Sequence, residues 1–376
     1  MSKKKIAIYL PDLSKIGGGA EVYVLYLATI LSKRYTITIF TKSVNLGKYP
    51  SIEEIYKHYN VSGFETIHLN NYLGEVYALK LLDNIKSVKQ LNKLISDKFD
   101  IYIYGASSRL EGVKKVKSVQ IVHFPDKSYK TDYPIIGTIF DKKYINSYHA
   151  FIVNSFFTKR YLKEYWNVDG NVLYPPISMR SISESELNCK ENVILTVGRL
   201  VSEKKIIYLI EAFKQLVDKY HVDYQFIICG NKGEESEYID KINSEIKGYP
   251  ISVYSNVPYD ELVSLYKKSK IYWHAMGYLE PDDNPSKMEH FGMTTVEAMC
   301  NGCIPVVINK AGQKEIIGED EYGFVWDSLD ELVDKTFGII NDSSSIRNKQ
   351  EIAIKRANKY QMESFEKNVW KIFDNI

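Results

Sequence analysis

The feature that most constrains this chain is an alternation, repeated twice, of short apolar runs with longer stretches of helical period. In the first round, Ile6–Leu10, Thr36–Phe40, Ile101–Tyr104, Val119–His123, Phe151–Asn154 and Val172–Tyr174 read as strands. Between them Glu21–Ser32, Glu75–Lys98 and Phe156–Tyr165 read as helices, with Val24, Leu25, Leu27, Ala28 and Leu31 on the inward face of the first. Apolar strands separated by helices predict crossover units and a mostly parallel sheet covered on both faces. Pro175-Pro176 closes this round, and the Ser- and Glu-rich stretch Ser178–Lys190 reads as a linker because it has no sustained apolar period. A second round follows, with strands at Val193–Val197, Gln225–Cys229, Ser252–Tyr254, Ile271–His274, Ile304–Ile308 and Gly323–Trp326. Ile206–Tyr220, Ser345–Tyr360 and Ser364–Asn375 read as its helices. A length of 376 residues suits two doubly wound α/β domains, with ligands expected at the carboxyl ends of the strands.

Several classes are excluded by composition. No apolar run approaches the roughly 18 residues of a membrane-spanning helix. Lys3-Lys4-Lys5 followed by Ile6–Leu10 looks like a leader only until Pro11-Asp12 stops the apolar run. Four cysteines are too few for a disulfide framework, and Cys300 and Cys303 form a single CxxC without the second pair a zinc site needs. They read as small residues at the end of a packed helix. A cytoplasmic location is the expectation. Charge is divided unevenly: residues 1–180 hold 26 Lys and Arg against 15 Asp and Glu, the rest 23 against 32. A basic half fits anionic lipid, nucleic acid or a phosphorylated ligand, and equally fits lysines solvated on outer helix faces.

Three segments carry candidate chemistry. Gly17-Gly18-Gly19-Ala20-Glu21 lies at the first strand–helix junction, where bare backbone can approach an anion or sugar, although it lacks the GxGxxG spacing and also suits a plain flexible loop. Gly198-Arg199 with Lys204 and Lys205 places cations between a strand end and a helix start. Cations beside a positive helix end are unfavourable unless an anion joins them, and Arg and Lys together can steady a departing diphosphate. The third segment runs from Trp273-His274 through a polar loop to Glu289-His290-Phe291-Gly292-Met293-Thr294-Thr295-Val296-Glu297. Here Gly292 is expected to end the loop, Thr294 or Thr295 to begin a helix, and Glu297 to lie on its first turn. Carboxylates accept paired hydrogen bonds from vicinal hydroxyls, so Glu289 and Glu297 can bracket a nucleotide sugar.

On these residues the chain resembles the large GT-B family of retaining glycosyltransferases with a Glu-x7-Glu motif, the group 1 or family 4-like glycosyltransferases. The resemblance rests on Val197-Gly198-Arg199 with Lys204, on Glu289–Glu297, and on Gly302-Cys303-Ile304-Pro305-Val306-Val307. Gly312 with Glu315, Gly323-Phe324-Val325, Gly17–Glu21, His123 and Val153–Thr158 also fit. It implies two Rossmann-like domains facing a cleft: residues 1–180 for the acceptor, joined by a C-terminal helix at 360–376 that crosses back, and residues 181–359 for the donor. Carried over residue by residue, it implies that Arg199 and Lys204 hold the diphosphate and that Glu297 binds ribose hydroxyls. Glu289 then contacts the transferred sugar, backbone at Phe291, Gly292, Met293 and Thr294 supports sugar and phosphate, and Gly198 lies beside them. His123 approaches the donor sugar from the first domain, and Gly18 and Gly19 face phosphate or acceptor.

The same resemblance implies hexose transfer from a nucleoside diphosphate sugar, with UDP or GDP as the nucleotide, and retention through front-face attack in which the leaving diphosphate takes the acceptor proton. No metal and no other cofactor is expected, in keeping with the absence of an Asp-x-Asp motif. The base would be read by backbone around Asn231–Gly233 and Val257–Tyr259. The chain departs from the family pattern twice: Lys205 stands where glycine is frequent, and Leu279–Met288 lengthens the approach to Glu289. The acceptor is expected to be a glycan or a lipid-linked molecule. Lys114, Lys115, Lys117, Lys142 and Lys143, with the aromatic stretch containing Tyr129, Tyr133, Phe140, Tyr144 and Tyr148, suggest peripheral docking on an anionic membrane face. Nucleic acid is not expected, since nothing resembles a recognition module. A nucleotide-sugar 2-epimerase and a non-catalytic sugar-nucleotide-binding protein are the alternative readings.

Overall fold

A computed structural model describes residues 3–11, 13, 19–42, 52–69, 81–127, 134–232 and 235–376. It divides into two compact units, Met1–Pro176 with Glu363–Ile376, and Ile177–Met362. The first unit runs β1 (Lys5–Tyr9), α1 (Gly19–Ser32), β2 (Thr36–Lys42), α2 (Ile52–Tyr59), β3 (Phe64–Leu69), α3 (Leu81–Ile95) and β4 (Ile101–Tyr104). It continues through β5 (Lys117–Val122), α4 (Pro134–Ile145), β6 (Ala150–Val153), α5 (Phe156–Trp166) and β7 (Asn171–Val172). Its sheet has the order β3-β2-β1-β4-β5-β6-β7, and every pairing is parallel.

The central strands β1, β4 and β6 are buried over nearly their whole length because helices cover both faces, which is why they read as unbroken apolar runs. Helix α5 starts where the Ser155 hydroxyl accepts a hydrogen bond from the Thr158 amide, and stops at Asn167 in the left-handed region. Of the expected helix Glu75–Lys98, residues 75–80 lie outside the described residues, and α3 ends at Ile95, with a turn over residues 96–98.

The second unit begins with α6 (Glu184–Leu187) and β8 (Glu191–Val197), then α7 (Ile206–Tyr220), β9 (Gln225–Gly230), α8 (Ser236–Glu245), β10 (Ile251–Ser255), α9 (Tyr259–Lys268) and β11 (Ser269–His274). After these come α10 (Met293–Cys300), β12 (Ile304–Ile308), α11 (Ala311–Ile317), β13 (Phe324–Trp326), α12 (Leu329–Asn341) and α13 (Ser343–Ala357). The order β10-β9-β8-β11-β12-β13, again all parallel, reverses its winding between β8 and β11. At such a reversal neighbouring crossovers leave to opposite faces, opening a crevice at the strands' carboxyl ends.

The last helix, α14 (Met362–Phe373), packs in the first unit, where Phe365, Val369 and Phe373 are buried. Phe365 meets the Tyr23 ring edge-on at 5.7 Å, the Arg34 guanidinium stacks 3.9 Å from the Trp370 ring centre, and Lys33 pairs with Glu366 at 2.5 Å.

The stretch Ser178–Lys190 is not a loose linker. Ser183 and Glu186 form a reciprocal cap on α6, Ile182 and Leu187 are buried, and Lys190 is buried too. The Lys190 ammonium donates to the carbonyls of Tyr266, Lys267 and Ser269 at 3.2, 3.1 and 2.5 Å. A four-residue helix is too short to show a period, and a lysine that buries its stem and satisfies its ammonium on carbonyls looks polar in sequence. The expected helix Ser345–Tyr360 is α13 followed by a short 3-10 turn, Asn358–Tyr360.

Candidate functional site

The carboxyl ends of β8, β9 and β11 meet at the reversal of the second sheet, around a small cavity lined by Gly198, Lys204, Cys229, His274 and Ala275. After β8, the Gly198 amide donates to the Cys229 carbonyl at 3.0 Å and the Leu200 amide to the Asn231 carbonyl at 2.9 Å. A single 3-10 turn, Ser202–Lys204, then ends at Lys205 with φ +57°. The Lys204 stem lies over Gly198, and its ammonium donates to Glu289 Oε2 at 2.7 Å and approaches Met276 Sδ at 3.3 Å. His274, the last residue of β11, places Nε2 at 3.3 Å from the same carboxylate oxygen. Its Nδ1 is buried with no hydrogen-bond partner among the described residues.

Burial pushes the Glu289 carboxyl up, but the Lys204 ammonium and the His274 ring hold it well below the usual carboxylate range. Burial lowers His274 below an ordinary imidazole, against the pull of Glu289. A carboxylate and an ammonium are therefore stored face to face at the mouth of the crevice. Burial also brings the neighbouring His290 down to about 4, which leaves it neutral at ordinary pH.

Helix α10 supplies the other half of the site. Gly292 precedes it at φ +116°, and a Cβ there would lie 2.3 Å from the Gln313 amide nitrogen, so only glycine fits. Among the described residues no side chain caps the first turn, and such a helix start is suited to an anion. The helix begins at Met293, one or two residues before the expected threonines, which places Glu297 on the second turn. The reason is that Gly292 itself occupies the cap position, so no threonine hydroxyl is needed there. Thr294 Oγ1 and the Tyr272 hydroxyl are 2.8 Å apart, and the Tyr266 hydroxyl donates to Glu297 Oε2 at 2.9 Å.

Burial raises the Glu297 carboxyl to about 7, although the Tyr266 hydrogen bond pulls it part of the way back. Between the ordinary carboxyl range and pH 7 the folded chain then keeps a proton that the unfolded chain releases. The associated stability is full at pH 4 and lost as pH rises through about 7. Glu297→Gln, a neutral isostere, is expected to match the parent near pH 4. At pH 8 it should be the more stable by up to about 2–3 kcal/mol, an upper bound because Glu297 keeps some solvent contact. Thermal unfolding of both proteins at the two pH values checks this, and a difference that does not grow with pH refutes it.

Residues 17–179 match the family model described as Glycosyltransferase Family 4, and residues 179–360 match the one described as Glycosyl transferases group 1. The chain belongs to the GT-B glycosyltransferases. The GDP-Man:Man(3)GlcNAc(2)-PP-Dol alpha-1,2-mannosyltransferase of Xenopus laevis is 28% identical over 198 residues, covering 48% of this chain and 38% of that relative. The match thus spans about two-fifths of the relative's length. Alpha-1,3/1,6-mannosyltransferase ALG2 of Saccharomyces cerevisiae is 22% identical over 375 residues, 85% of this chain and 73% of its own. Among solved structures, Anabaena HepE in complex with UDP and glucose superposes with a TM-score of 0.71 at 15% identity, over 99% of this chain and 100% of that one, which shows a shared fold.

The other residues expected in the site of this glycosyltransferase are more scattered. Arg199 is exposed and faces Glu203 at 4.0 Å, apart from the Lys204–Glu289 pair. His123 follows β5 in the first unit, with its amide donating to Ser107 Oγ at 3.1 Å and its ring edge-on to Tyr23 at 5.7 Å. Gly19 is the first residue of α1, whereas Gly17, Gly18 and Gly233 lie outside the described residues. Phe291 is buried against the Tyr360 ring at 5.4 Å. Sequence reasoning gave no role to His274, Tyr266 or Tyr272. Only His274 carried a usable signal, as the last residue of an expected strand in the segment leading to Glu289.

The aromatic surface expected in the first unit is partly a core. Tyr144 and Tyr148 are buried and pack with Trp166, Phe151 and each other. Tyr129 and Tyr133 lie outside the described residues, as does the Phe140 side chain. Of the lysines, Lys115 pairs with Asp97 at 3.2 Å, Lys143 pairs with Glu111 at 2.7 Å, and Lys117 donates to the Ile376 carbonyl. Among the described residues no helix is long and apolar enough to cross a membrane, and no group of three His, Cys, Asp or Glu residues is placed to hold a metal ion.

Proposed function

We propose that this chain transfers a hexose from a nucleoside diphosphate sugar to a hydroxyl of a glycan or lipid-linked acceptor, with retention at the anomeric carbon. The observation that carries the reading is the Lys204–Glu289 pair beside the uncapped start of α10, at the winding reversal of the second sheet. A diphosphate entering there competes with Glu289 for the Lys204 ammonium. The exchange frees the Glu289 carboxylate to accept hydrogen bonds from sugar hydroxyls, while His274 keeps it oriented. Glu297 takes the ribose hydroxyls, and Arg199, long and exposed, closes on the phosphates from outside.

In the reaction the bond between the anomeric carbon and the diphosphate oxygen breaks, and the acceptor oxygen bonds to that carbon on the same face. The acceptor proton passes to the departing diphosphate. Arg199, Lys204 and the amides at the start of α10 stabilise the charge that develops, and the protein's remaining contribution is positioning. His123, Gly18 and Gly19 are assigned, on the family resemblance, to the donor sugar and acceptor side.

The name of the Xenopus laevis relative gives GDP-Man and Man(3)GlcNAc(2)-PP-Dol, and the solved neighbour holds UDP and glucose, so a thermal-shift panel of GDP- and UDP-hexoses selects the donor. The expected result is stabilisation by at least one of them, then release of that nucleotide in the presence of acceptor, undiminished by a chelator. No shift with any nucleotide sugar refutes the reading, and loss of turnover with the chelator removes its metal-free form. For a lipid-linked acceptor, exposed Ile139 beside Lys142 on α4 offers a small docking face for anionic membrane. Flotation with anionic vesicles tests it.

A further inference from the structure

We propose that the Lys205–Glu280 ion pair is a positioning clasp that seats the loop of residues 279–288 beside Lys204 and Glu289, and thereby sets the geometry of transfer. The two places where the sequence leaves the family pattern meet here. Lys205 Nζ lies 2.7 Å from Glu280 Oε1, with the two side chains only 18% and 17% exposed. Lys205 also holds φ +57°, a region that favours glycine, so a lysine there tolerates a strained backbone in order to present its side chain.

The same loop is held by a second lysine. Lys310 donates to the Glu280 carbonyl at 2.5 Å and lies 3.3 Å from Asp282 Oδ1. Its exit is fixed as well: a 3-10 turn at Pro285–Lys287 leads into Met288, which is buried against Gly277 and directly precedes Glu289. Lys205 is the neighbour of Lys204 and Met288 the neighbour of Glu289. A clasp between Lys205 and the loop therefore ties together the two backbone segments that carry the central ion pair. It has an electrostatic consequence too. With Lys205 neutralised by Glu280, the diphosphate meets Lys204 and Arg199 rather than a third cation that would slow its release.

The inference rests on the transfer reading for its catalytic consequence, but the clasp itself is readable without substrate. The test compares the full chain with Lys205→Gly, Lys205→Arg and Glu280→Gln, by amide hydrogen exchange over residues 279–288, thermal unfolding and steady-state kinetics with the donor selected above. In Lys205→Gly and Glu280→Gln, exchange in the loop should rise about tenfold or more. Thermal unfolding of Lys205→Gly should stay near that of the parent, since glycine relieves the left-handed strain. Its kcat should fall about tenfold or more with donor KM changed less than about threefold, and Lys205→Arg should recover most of both. Unchanged loop exchange in Lys205→Gly overturns the clasp, and so does faster exchange with kcat intact. A parent chain that uses no nucleotide sugar overturns the transfer reading instead, and the exchange result then still decides whether the clasp holds the loop.

Discussion

Lys204→Ala is expected to lower turnover by about 10³-fold and to lower stability with it, whereas Arg199→Ala should lower turnover by about 10²-fold and leave stability within about 0.5 kcal/mol. The difference follows from where each cation sits. Lys204 is the close partner of a carboxylate whose side chain is only 21% exposed, so its removal strands the Glu289 charge with His274 as the remaining support. Breaking one side of such a pair costs about 1–3 kcal/mol after allowance for residual solvent. Arg199 is 64% exposed and its contact with Glu203 is long, so little folding energy depends on it. In the proposed reaction, nevertheless, both cations act on the same developing charge. Steady-state kinetics with thermal unfolding of each variant separates the roles. If Lys204→Ala unfolds earlier yet turns over normally, Lys204 is merely the counter-charge of Glu289, and the diphosphate assignment fails.

That contrast was only partly visible in the sequence. The strand, turn and helix around Gly198–Lys205 announce a cationic junction because every signal lies within a dozen residues. The seven-residue spacing between Glu289 and Glu297 is local in the same way. The Lys204–Glu289 bond joins residues 85 positions apart, and nothing in either segment says that the ammonium turns onto this carboxylate. His274 sits only 15 residues before Glu289, but its role depends on β11 lying beside β8, a matter of sheet order. The alternation of strands and helices was legible because burial on both faces leaves continuous apolar runs. Ser178–Lys190 misled for the converse reason, since its buried groups include a lysine satisfied by three carbonyls. Tyr144 and Tyr148 misled likewise: aromatics interleaved with lysines suggested a surface, and the fold turned the rings inward.

The second large effect is expected at a residue with no chemistry of its own. Gly230 ends β9 next to the point where β8 gives way to Gly198, and an alanine Cβ there would lie 1.6 Å from the Gly198 carbonyl oxygen and 2.7 Å from its carbon. These are backbone atoms, so no side-chain rotation relieves the overlap. Relief requires the two strand ends to separate, although the Gly198 amide bonds to Cys229 at 3.0 Å and the Asn256 amide to the Gly230 carbonyl at 3.1 Å. Gly230→Ala is therefore expected to cost about 3 kcal/mol or more, at the upper end for a single methyl. The same separation would draw Gly198 and the Lys204 stem lying over it away from His274 and Glu289. Any folded fraction should consequently show a kcat reduced about 10²-fold, because a shift of about 1 Å at a preorganised site is enough for that. Chemical denaturation and turnover per folded molecule measure the two parts independently. An alanine variant with parental stability would mean that β8 and β9 can part without penalty, and the close approach of their ends would then lose its standing as the support of the cation–carboxylate pair.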